Sequence, residues 1–404
     1  MGETLIPEIV TKFSAAFGEF LSAGPILVGS DTRTSNEMFR LSVLSGLISI
    51  GSEVIDVGVC PTPTLQLMVE KLHASGGIAI SGSHNPAEWN ALKFVRSDGL
   101  FLYPEEEKKV IQIYNKDMIK RAPWNHLGRI YKDDSAIENH LDQVLKVVNE
   151  KRIRSKKLKV VIDAGNGAGA LISPKLCQKL GCEVVSLNCE PNGIFARPPE
   201  PIPPHLRQLS EIVKSTRADI GFAHDADADR VAIVTDKGEI LPEDYTLLMA
   251  AKFSLGKKPG LVVTNLSTTQ ALDDVAAEFN CAVKRTKIGD VHVSRCMKEE
   301  KAVIGGEGNG GVIIPEVHYA RDGIAAIALL LDYLTDANEP VSELANKLPR
   351  YYMVKEKQAF AGQDFSLIKS KLEEQFKPES LDILDGVKIT LEDGWIHIRP
   401  SGTE

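Results

Sequence analysis

The segment LKVVIDAGNGAGA, residues 158–170, decides the fold class of this chain. Its first half is a run of apolar residues without alternation, which is typical of a strand buried on both faces of a parallel sheet. A loop of small residues follows, then a predicted helix over Pro174–Leu180 and a second strand over Glu183–Leu187. The order of strand, helix and strand predicts parallel pairing through a right-handed crossover.

The same order of elements occurs twice more. The other copies are ILVGSDTRTS (26–35) with a helix over Glu37–Ile50 and a strand over Glu53–Val59, and LVVTNLSTTQ (261–270) with a helix over Ala271–Phe279 and a strand over Ala282–Arg285. Three copies predict an α/β protein with three successive, related domains whose sheets are mixed and mostly parallel.

Changes in composition indicate where these domains end. The basic segment 151–157 predicts a solvated connector, the proline-rich segment 197–204 an extended loop inside the second domain, and Pro349–Tyr352 a further break. We therefore expect α/β domains over 1–153, 154–253 and 254–351, and a smaller α+β domain over 352–404, with a helix over Ser366–Phe376 and a hairpin that ends in Trp395–Ile398. This last part is small for a domain and stops directly after SGTE, so we expect it to be truncated.

The composition argues against several classes of protein. The 404 residues include 47 Lys+Arg and 55 Asp+Glu, and the net charge of −8 disfavours a role in coating nucleic acid. No apolar run approaches the ~20 residues that span a bilayer, and the N-terminal residues do not resemble a signal peptide. The six cysteines contain no C-x-x-C pair, which indicates reduced thiols. We expect a cytoplasmic protein with a small-molecule ligand, no nucleic-acid or membrane partner, and an oligomeric state that the sequence does not specify.

Two loops carry candidate chemistry at the ends of predicted strands. SGSHNP (81–86) follows the strand Gly77–Ile80 and offers Ser83 as a nucleophile, at the place where open α/β sheets bind ligands; the alternative is an exposed turn. DADADR (225–230) lies between two strands and presents three carboxylates, Asp225, Asp227 and Asp229. Since unpaired carboxylates repel one another, a hard cation such as Mg²⁺ or Ca²⁺ is a better explanation than an acidic hairpin tip.

Two further loops offer polar groups for a ligand. GGEGNGG (305–311) allows close approach of its backbone, and Glu307 and Asn309 suit the vicinal hydroxyls of a sugar; the alternative is a flexible glycine loop. RPSGTE (399–404) combines Arg399, Ser401, Thr403 and the Gly402 N–H into an anion cradle that suits phosphate; the alternative is a terminal hairpin tail.

In this order, the four loops resemble those of the α-D-phosphohexomutase family, and the resemblance covers nearly the whole chain. It implies an isomerase that interconverts hexose 6-phosphate and hexose 1-phosphate. In such an enzyme Ser83 carries a phosphoryl group and holds Mg²⁺ together with the three aspartates, Glu307 and Asn309 recognise the sugar, and the loop at Arg399 grips the phosphate that is not transferred. A hexose 1,6-bisphosphate is then both the intermediate and an activator.

The GEGNGG form of the sugar loop resembles that of archaeal phosphoglucosamine mutases, which makes glucosamine phosphate the expected substrate. Phosphomannomutase or phosphoglucomutase activity, an Mg²⁺-dependent phosphatase with a covalent phosphoserine, and a phosphosugar-binding protein with an inactive site remain alternatives. Many family members have serine where Asn309 stands and histidine where Gly311 stands. The family's N-terminal FGTSGIRG-like stretch and the strands after SGTE have no counterpart, so we expect that both ends are trimmed.

The resemblance also suggests roles for residues outside the four loops. Lys93 matches a basic residue of the family, and a lowered pKa would make it a general base; His84 is the alternative base, or only holds the serine loop. Arg230 is expected to contact the phosphoserine, and Asp31 and Arg33 to brace the serine loop. Sugar contacts are expected in KIGDVH (287–292), which offers Lys287, Asp290 and His292.

Overall fold

Four sheets follow one another along the chain. The structure is a computed structural model that describes residues 4–22, 24–356 and 365–400, so Ser401, Gly402 and Thr403 of the expected anion cradle lie outside the described residues. The first part contains α1 (Pro7–Leu21), β1 (Ile26–Ser30), α2 (Asn36–Ile48), β2 (Val54–Val59), α3 (Thr62–Lys71), β3 (Gly76–Ile80), β4 (Leu92–Arg96), α4 (Pro104–Asn115) and β5 (Ile130–Lys132).

The second part begins with two linking helices and contains the strands predicted around residue 160. Its elements are α5 (Ala136–Leu145), α6 (Glu150–Lys156), β6 (Lys159–Asp163), α7 (Ser173–Lys179), β7 (Glu183–Leu187), α8 (Arg207–Thr216), β8 (Ile220–His224) and β9 (Val231–Thr235). Short 3₁₀ turns span Ala168–Leu171 and Pro203–His205.

The remaining elements form the third sheet with its helices and a small C-terminal sheet. They are α9 (Asp244–Lys257), β10 (Val262–Asn265), α10 (Ala271–Ala277), β11 (Val283–Thr286), α11 (Asp290–Glu300), β12 (Ile304–Glu307), β13 (Gly311–Ile313), α12 (Gly323–Ala337), α13 (Val341–Asn346), α14 (Phe365–Gln375), a 3₁₀ turn (Pro378–Ser380), β14 (Leu381–Asp382), β15 (Val387–Leu391) and β16 (Gly394–Ile398).

The first three sheets share one topology. Their strand orders are β4-β3-β1-β2-β5, β9-β8-β6-β7 and β13-β12-β10-β11. In each sheet the first strand of this order, an edge strand, pairs antiparallel with its neighbour, while the other pairs are parallel. The C-terminal sheet, β14-β15-β16, is antiparallel. The prediction of three related α/β domains and a smaller α+β part is confirmed. The expected boundaries stay predictions; those after 153 and 253 fall within α6 and α9.

This shared topology positions the candidate site. The serine loop (81–86) lies between β3 and β4, the metal loop (225–230) joins β8 to β9, and the sugar loop (305–311) contains the turn from β12 to β13. All three therefore occupy the same place in their copies, at the carboxyl end of a parallel strand where it turns into an antiparallel edge. Open α/β sheets bind ligands at this end of their strands.

Helix α12 lies at the centre of the packing between these sheets. Its apolar run Ile324–Leu331 is buried and belongs to one cluster of apolar side chains that extends through all three α/β sheets. The helix begins at Asp322, whose Oδ1 accepts hydrogen bonds from the backbone N–H groups of Ile324 and Ala325. Two buried histidines, His140 and His318, share hydrogen bonds of 2.7 and 3.0 Å with its Oδ2, so the start of α12 is tied to α5.

Two observations on the whole chain complete the fold. Among the residues that the structure describes, no helix is both long enough and apolar enough to cross a membrane. The six cysteines are free thiols, as their spacing predicted.

Candidate active site

Ser83 lies in the loop after β3 in a left-handed backbone conformation, with φ of 49°. This region is uncommon for a residue with a side chain. Its N–H donates to Ser81 Oγ (2.8 Å), and Ser81 Oγ donates in turn to Asp31 Oδ2 (2.7 Å). The Ser83 hydroxyl faces the second sheet and donates to Asp225 Oδ2 at 3.3 Å.

Arg33 holds the whole serine loop. Its guanidinium is buried and pairs through Nε with Asp31 Oδ2 at 3.1 Å. The two terminal nitrogens donate to four loop carbonyls, those of Ser83 (2.7 Å), Asn85 (2.7 Å), Pro86 (2.6 Å) and Trp89 (3.0 Å). Because these five bonds use all of its donors on protein atoms, Arg33 braces the loop as expected and has none left for a reacting group.

The three aspartates of the metal loop converge in the interior. Asp225, Asp227 and Asp229 are each at most 1% exposed, and one carboxylate oxygen of each lies within 4.8 Å of the others. The intervening Ala226 and Ala228 are buried too, and Ala228 has φ of 57°. Small side chains at these two positions let the carboxylates turn to the same side of the loop.

Each aspartate has one oxygen engaged by a hydrogen-bond donor. Asp225 Oδ1 accepts from the Arg230 N–H (3.2 Å), Asp227 Oδ2 accepts from Thr62 Oγ1 (2.5 Å) and Lys93 Nζ (2.5 Å), and Asp229 Oδ2 accepts from Arg321 (2.6 Å). The premise that these carboxylates are unpaired is therefore wrong for Asp227 and Asp229, because Lys93 of the first domain and Arg321 of the third neutralise them.

The second carboxylate oxygen of each aspartate makes the cluster suitable for binding a cation. Oδ1 of Asp227 and Oδ1 of Asp229 are buried without a hydrogen-bond partner, and Asp225 Oδ2 faces Ser83 Oγ. A buried acceptor without a donor costs about 1–3 kcal/mol. Carboxylate oxygens are the ligands that Mg²⁺ prefers. This donor set therefore suits Mg²⁺, with the serine hydroxyl beside it.

The charges of the cluster shift the pKa values of its members. Burial, reinforced by Asp229 and Asp227, raises the pKa of Asp225 well above its ordinary value. Burial acts to lower the pKa of Lys93, but Asp227 and Asp229 outweigh it and raise that pKa. The expected lowering of the Lys93 pKa is thus wrong, because the ammonium group is held between two carboxylates.

His84 and Arg230 lie next to this cluster with unused polar atoms. Burial, together with the charge of Arg230, lowers the pKa of His84 to about 4, and its Nδ1 is buried without a partner. Arg230 Nε is also buried without a hydrogen bond, 3.7 Å from Asp229 Oδ1. A neutral imidazole, next to Ser83 in the chain, and a guanidinium whose Nε has no hydrogen bond therefore lie beside the aspartate cluster.

Glu307 is the centre of the sugar loop and is almost fully buried. Its Oε1 accepts from Asn265 Nδ2 (2.8 Å) and the Gly289 N–H (3.1 Å), and its Oε2 accepts from Arg321 (2.6 Å) and Asn309 Nδ2 (3.3 Å). Burial opposes ionisation, but Arg321 lowers the pKa of Glu307 below its ordinary value. The carboxylate therefore orders the loop with both of its oxygens.

The segment KIGDVH meets the sugar loop at its glycine. The Gly289 N–H bonds to Glu307, and Asp290, whose side chain is 9% exposed, has its Oδ1 at 3.8 Å from Arg321 Nε. Burial raises the pKa of Asp290. Lys287 is exposed and His292 half-buried. The structure thus brings Asp290 to the cluster, while Lys287 stays at the surface.

The C-terminal sheet docks on these loops through Asp385. Arg399 Nε lies 3.4 Å from Asp385 Oδ1, and Asp385 Oδ2 accepts from the Ile288 N–H at 2.8 Å. His397 is hydrogen-bonded to Ser267 Oγ at 2.7 Å. The expected phosphate-binding arginine is therefore tied to the sugar-contact segment of the third domain.

Comparison with known proteins gives the family. Models of the phosphoglucomutase/phosphomannomutase alpha/beta/alpha domains I, II and III match residues 1–120, 138–238 and 242–352. A Methanopyrus kandleri protein named "Probable phosphoglucosamine mutase" is 38% identical over 410 residues, which cover 100% of this chain and 89% of the relative. A Thermococcus kodakarensis "Phosphoglucomutase/phosphomannomutase" is 39% identical over 411 residues, with coverage of 100% and 90%.

The chain belongs to the α-D-phosphohexomutase family. This confirms the family that the four loops indicated and makes the chain an isomerase of the phosphohexomutase class. The fold agrees, because the X-ray structure of a phosphoglucomutase/phosphomannomutase family protein from Burkholderia thailandensis superposes with a TM-score of 0.87 at 27% identity and covers 100% of this chain and 89% of that one.

Two residues of this phosphohexomutase site were missed by the sequence analysis. Thr62 follows strand β2 in the sequence PTPT, and Arg321 stands directly before Asp322, which begins the apolar helix α12. A threonine just beyond a parallel strand and an isolated arginine beside a buried helix were the available signals. Neither lies within a recognisable motif, since each acts on an aspartate far away in sequence.

Proposed function

We propose that this phosphohexomutase interconverts glucosamine 6-phosphate and glucosamine 1-phosphate through a phosphorylated Ser83 and a hexose 1,6-bisphosphate. The observation that carries the proposal is the 3.3 Å contact between Ser83 Oγ and Asp225, at the edge of a buried triplet of aspartates. The preference for glucosamine rests on the GEGNGG loop and on relatives such as the Methanopyrus protein. The Thermococcus relative makes phosphomannomutase or phosphoglucomutase activity the second candidate.

The aspartate oxygens without partners would hold Mg²⁺, together with an oxygen of the phosphorylated Ser83. When bound, Mg²⁺ neutralises charge on the phosphoryl group and on the oxygen that leaves it. The chain's own residues position the reactants: Arg33 fixes the serine loop, and Arg230, whose Nε has no hydrogen bond, is the proposed contact for the phosphoryl group. Phosphoryl transfer depends mainly on such positioning and charge stabilisation.

The sugar hydroxyl that attacks the phosphoserine must lose a proton. Lys93 holds its own proton between Asp227 and Asp229, so its role in this proposal is to position Asp227 and to balance charge. His84 offers a buried Nδ1 without a partner, beside Ser83, and is the proposed proton acceptor. In the second half-reaction the same imidazole returns the proton to the sugar oxygen as the other phosphate moves to Ser83.

The two phosphates of the bisphosphate are distinguished by position. One lies at Ser83 and is transferred, while the other is held at Arg399, with Ser401, Gly402 and Thr403 as further proposed contacts. Glu307, Asn309, Asp290 and Lys287 are proposed to surround the sugar between them. A bisphosphate that turns around presents its second phosphate to Ser83, which explains why added glucose 1,6-bisphosphate should activate the enzyme.

The proposal is tested on the purified chain by intact-mass spectrometry and isotope transfer. Incubation with glucose 1,6-bisphosphate and Mg²⁺ should add one phosphoryl group to the wild type and none to Ser83→Ala. With label in the phosphate, the wild type should produce labelled glucosamine 1,6-bisphosphate from glucosamine 6-phosphate. Release of inorganic phosphate instead would favour the phosphatase alternative. Equal rates with glucosamine, mannose and glucose 6-phosphates would remove the preference for glucosamine.

A further inference from the structure

Thr62 joins the first domain to the metal loop of the second. It is the first residue of α3 and is 3% exposed. Its backbone N–H donates to the Asp227 carbonyl oxygen at 3.1 Å, and its Oγ1 donates to Asp227 Oδ2 at 2.5 Å. One residue therefore fixes both the main chain and the side chain of a carboxylate that lies 165 positions away.

This double contact determines which oxygen of Asp227 faces the cluster. Oδ2 accepts from Thr62 and from Lys93, so it cannot rotate away without breaking two hydrogen bonds. Oδ1 is left buried without a hydrogen-bond partner, and the carboxylate belongs to the cluster with Asp225 and Asp229. The terminal torsion of a carboxylate is otherwise broad, so a donor outside the ligand shell is what gives Asp227 a fixed orientation.

The backbone around Thr62 is itself stiff. Pro61 precedes it and Pro63 follows it, and the helix that they begin packs against β1 of the first sheet and against α5. Proline fixes its own φ and restricts the residue before it. The Thr62 hydroxyl is therefore carried by a rigid part of the first domain, whereas the aspartate that it holds belongs to the second.

We propose that Thr62 is a positioning residue for the divalent cation, and that the cation is bound tightly only while the first domain is docked on the metal loop. The inference rests on the proposed function, because it presumes that the aspartate triplet binds metal. It states that removal of the Thr62 hydroxyl weakens metal binding although the charge of the site does not change. Partners outside the ligand shell typically contribute 10- to 100-fold in metal affinity.

The chain offers a matched control two residues along the same helix. Thr64 is also buried, and its Oγ1 is hydrogen-bonded at 2.7 Å to His140 of α5, which is not part of the aspartate triplet. Thr62→Val and Thr64→Val remove the same group from the same helix. Only the first should affect the cation, while both should lower stability to a similar degree.

The test is a titration of the unphosphorylated chain with Mn²⁺, followed by the electron paramagnetic resonance signal of the free ion. Compared with the wild type, we expect Thr62→Val to raise the Kd for Mn²⁺ about tenfold or more, Thr62→Ser to restore it to within about threefold, and Thr64→Val to leave it unchanged. Thermal unfolding with and without Mn²⁺ gives a second readout, in which the stabilisation by metal should shrink only for Thr62→Val.

The outcomes separate this inference from the proposed function. If the wild type itself binds no Mn²⁺, the metal site fails and the inference fails with it. If the wild type binds Mn²⁺ and a folded Thr62→Val binds it equally well, the inference alone is overturned. If Thr62→Val does not fold, Thr62→Ala replaces it, and failure of both to fold would assign Thr62 a purely structural role and overturn the inference.

Discussion

Arg33→Lys tests whether the conformation of the serine loop is held by hydrogen bonds or by charge. Arg33 makes five side-chain hydrogen bonds, one to Asp31 and four to loop carbonyls. A lysine ammonium has three donors, so at least two of the five bonds are lost. At about 1.5–3 kcal/mol for each hydrogen bond to a charged group, the loss is roughly 3–6 kcal/mol.

This loss is larger than the strain that the loop stores at Ser83. A left-handed conformation of a residue with a side chain costs about 1–3 kcal/mol, and Ser83 adopts it with φ of 49°. Without the bonds from Arg33 we expect Ser83 to relax, which moves its hydroxyl away from Asp225. A decrease in kcat/KM of roughly 10- to 150-fold follows if only half of the lost energy acts on the transition state.

The assay compares steady-state mutase kinetics and the extent of Ser83 phosphorylation by intact mass. Arg40→Lys is the matched control, because Arg40 pairs with Asp56 at 3.2 Å in the same domain and does not touch the serine loop. We expect the control to keep kcat/KM within about twofold, since it breaks one partly exposed ion pair. If Arg33→Lys retained kcat/KM within about threefold, the claim that hydrogen bonds from this arginine hold the strained loop would be refuted.

Three further changes have defined outcomes. A Cβ at Gly311 would collide with the Arg321 side chain. Gly311→Ala should therefore disturb a hydrogen bond from Arg321 to a carboxylate, worth about 1.5–3 kcal/mol, and lower kcat/KM at least about tenfold. A kcat/KM within about threefold of the wild type would contradict this. Burial raises the pKa of Asp244 to about 6 from 3.8, so the native state is penalised increasingly as pH rises from 3.8 to about 6. Asp244→Asn should be more stable than the wild type above pH 6, by up to about 3 kcal/mol, and equal to it below pH 3.8 in urea unfolding. The pKa of Asp322 lies far below its ordinary 3.8, since its histidine partners outweigh the effect of burial. The stability that ionised Asp322 contributes is present above pH 3.8 and is lost as the pH falls below it. Asp322→Asn should therefore lower the free energy of unfolding by about 1.5–3 kcal/mol at pH 7 and by less at pH 3. Equal urea midpoints at pH 7 would count against a stabilising role for the hydrogen bonds of Asp322.

The fold could be predicted from the sequence because its signals are local. In each α/β copy the sequence shows a strand, a loop of small residues and a helix in order. Strands β6 and β7 lie where LKVVID and Glu183–Leu187 predicted them. The serine and metal loops were found for the same reason, since their chemistry is concentrated within six residues each.

What the sequence did not reveal is how these loops are paired across domains. In the sequence neither Thr62 nor Arg321 lies near the aspartates of the metal loop. In the structure Thr62 bonds to Asp227, 165 positions away, and Arg321 bonds to Asp229, 92 positions away. The pKa of Lys93 was predicted with the wrong sign because its nearest charges are two carboxylates from the second sheet. Electrostatic partners of this kind depend on tertiary docking, which no local spacing encodes.

The equivalent placement of the serine, metal and sugar loops has a practical consequence for protein engineering. Each loop is a hairpin connection between paired strands, so one of them can be exchanged for that of a homologue while the sheets keep their registers. Under the proposed function, residues 305–311 form such a cassette for altering sugar preference. Arg321 sets one condition: since its guanidinium also holds Asp229 and Glu307, the donor loop must keep glycine at position 311.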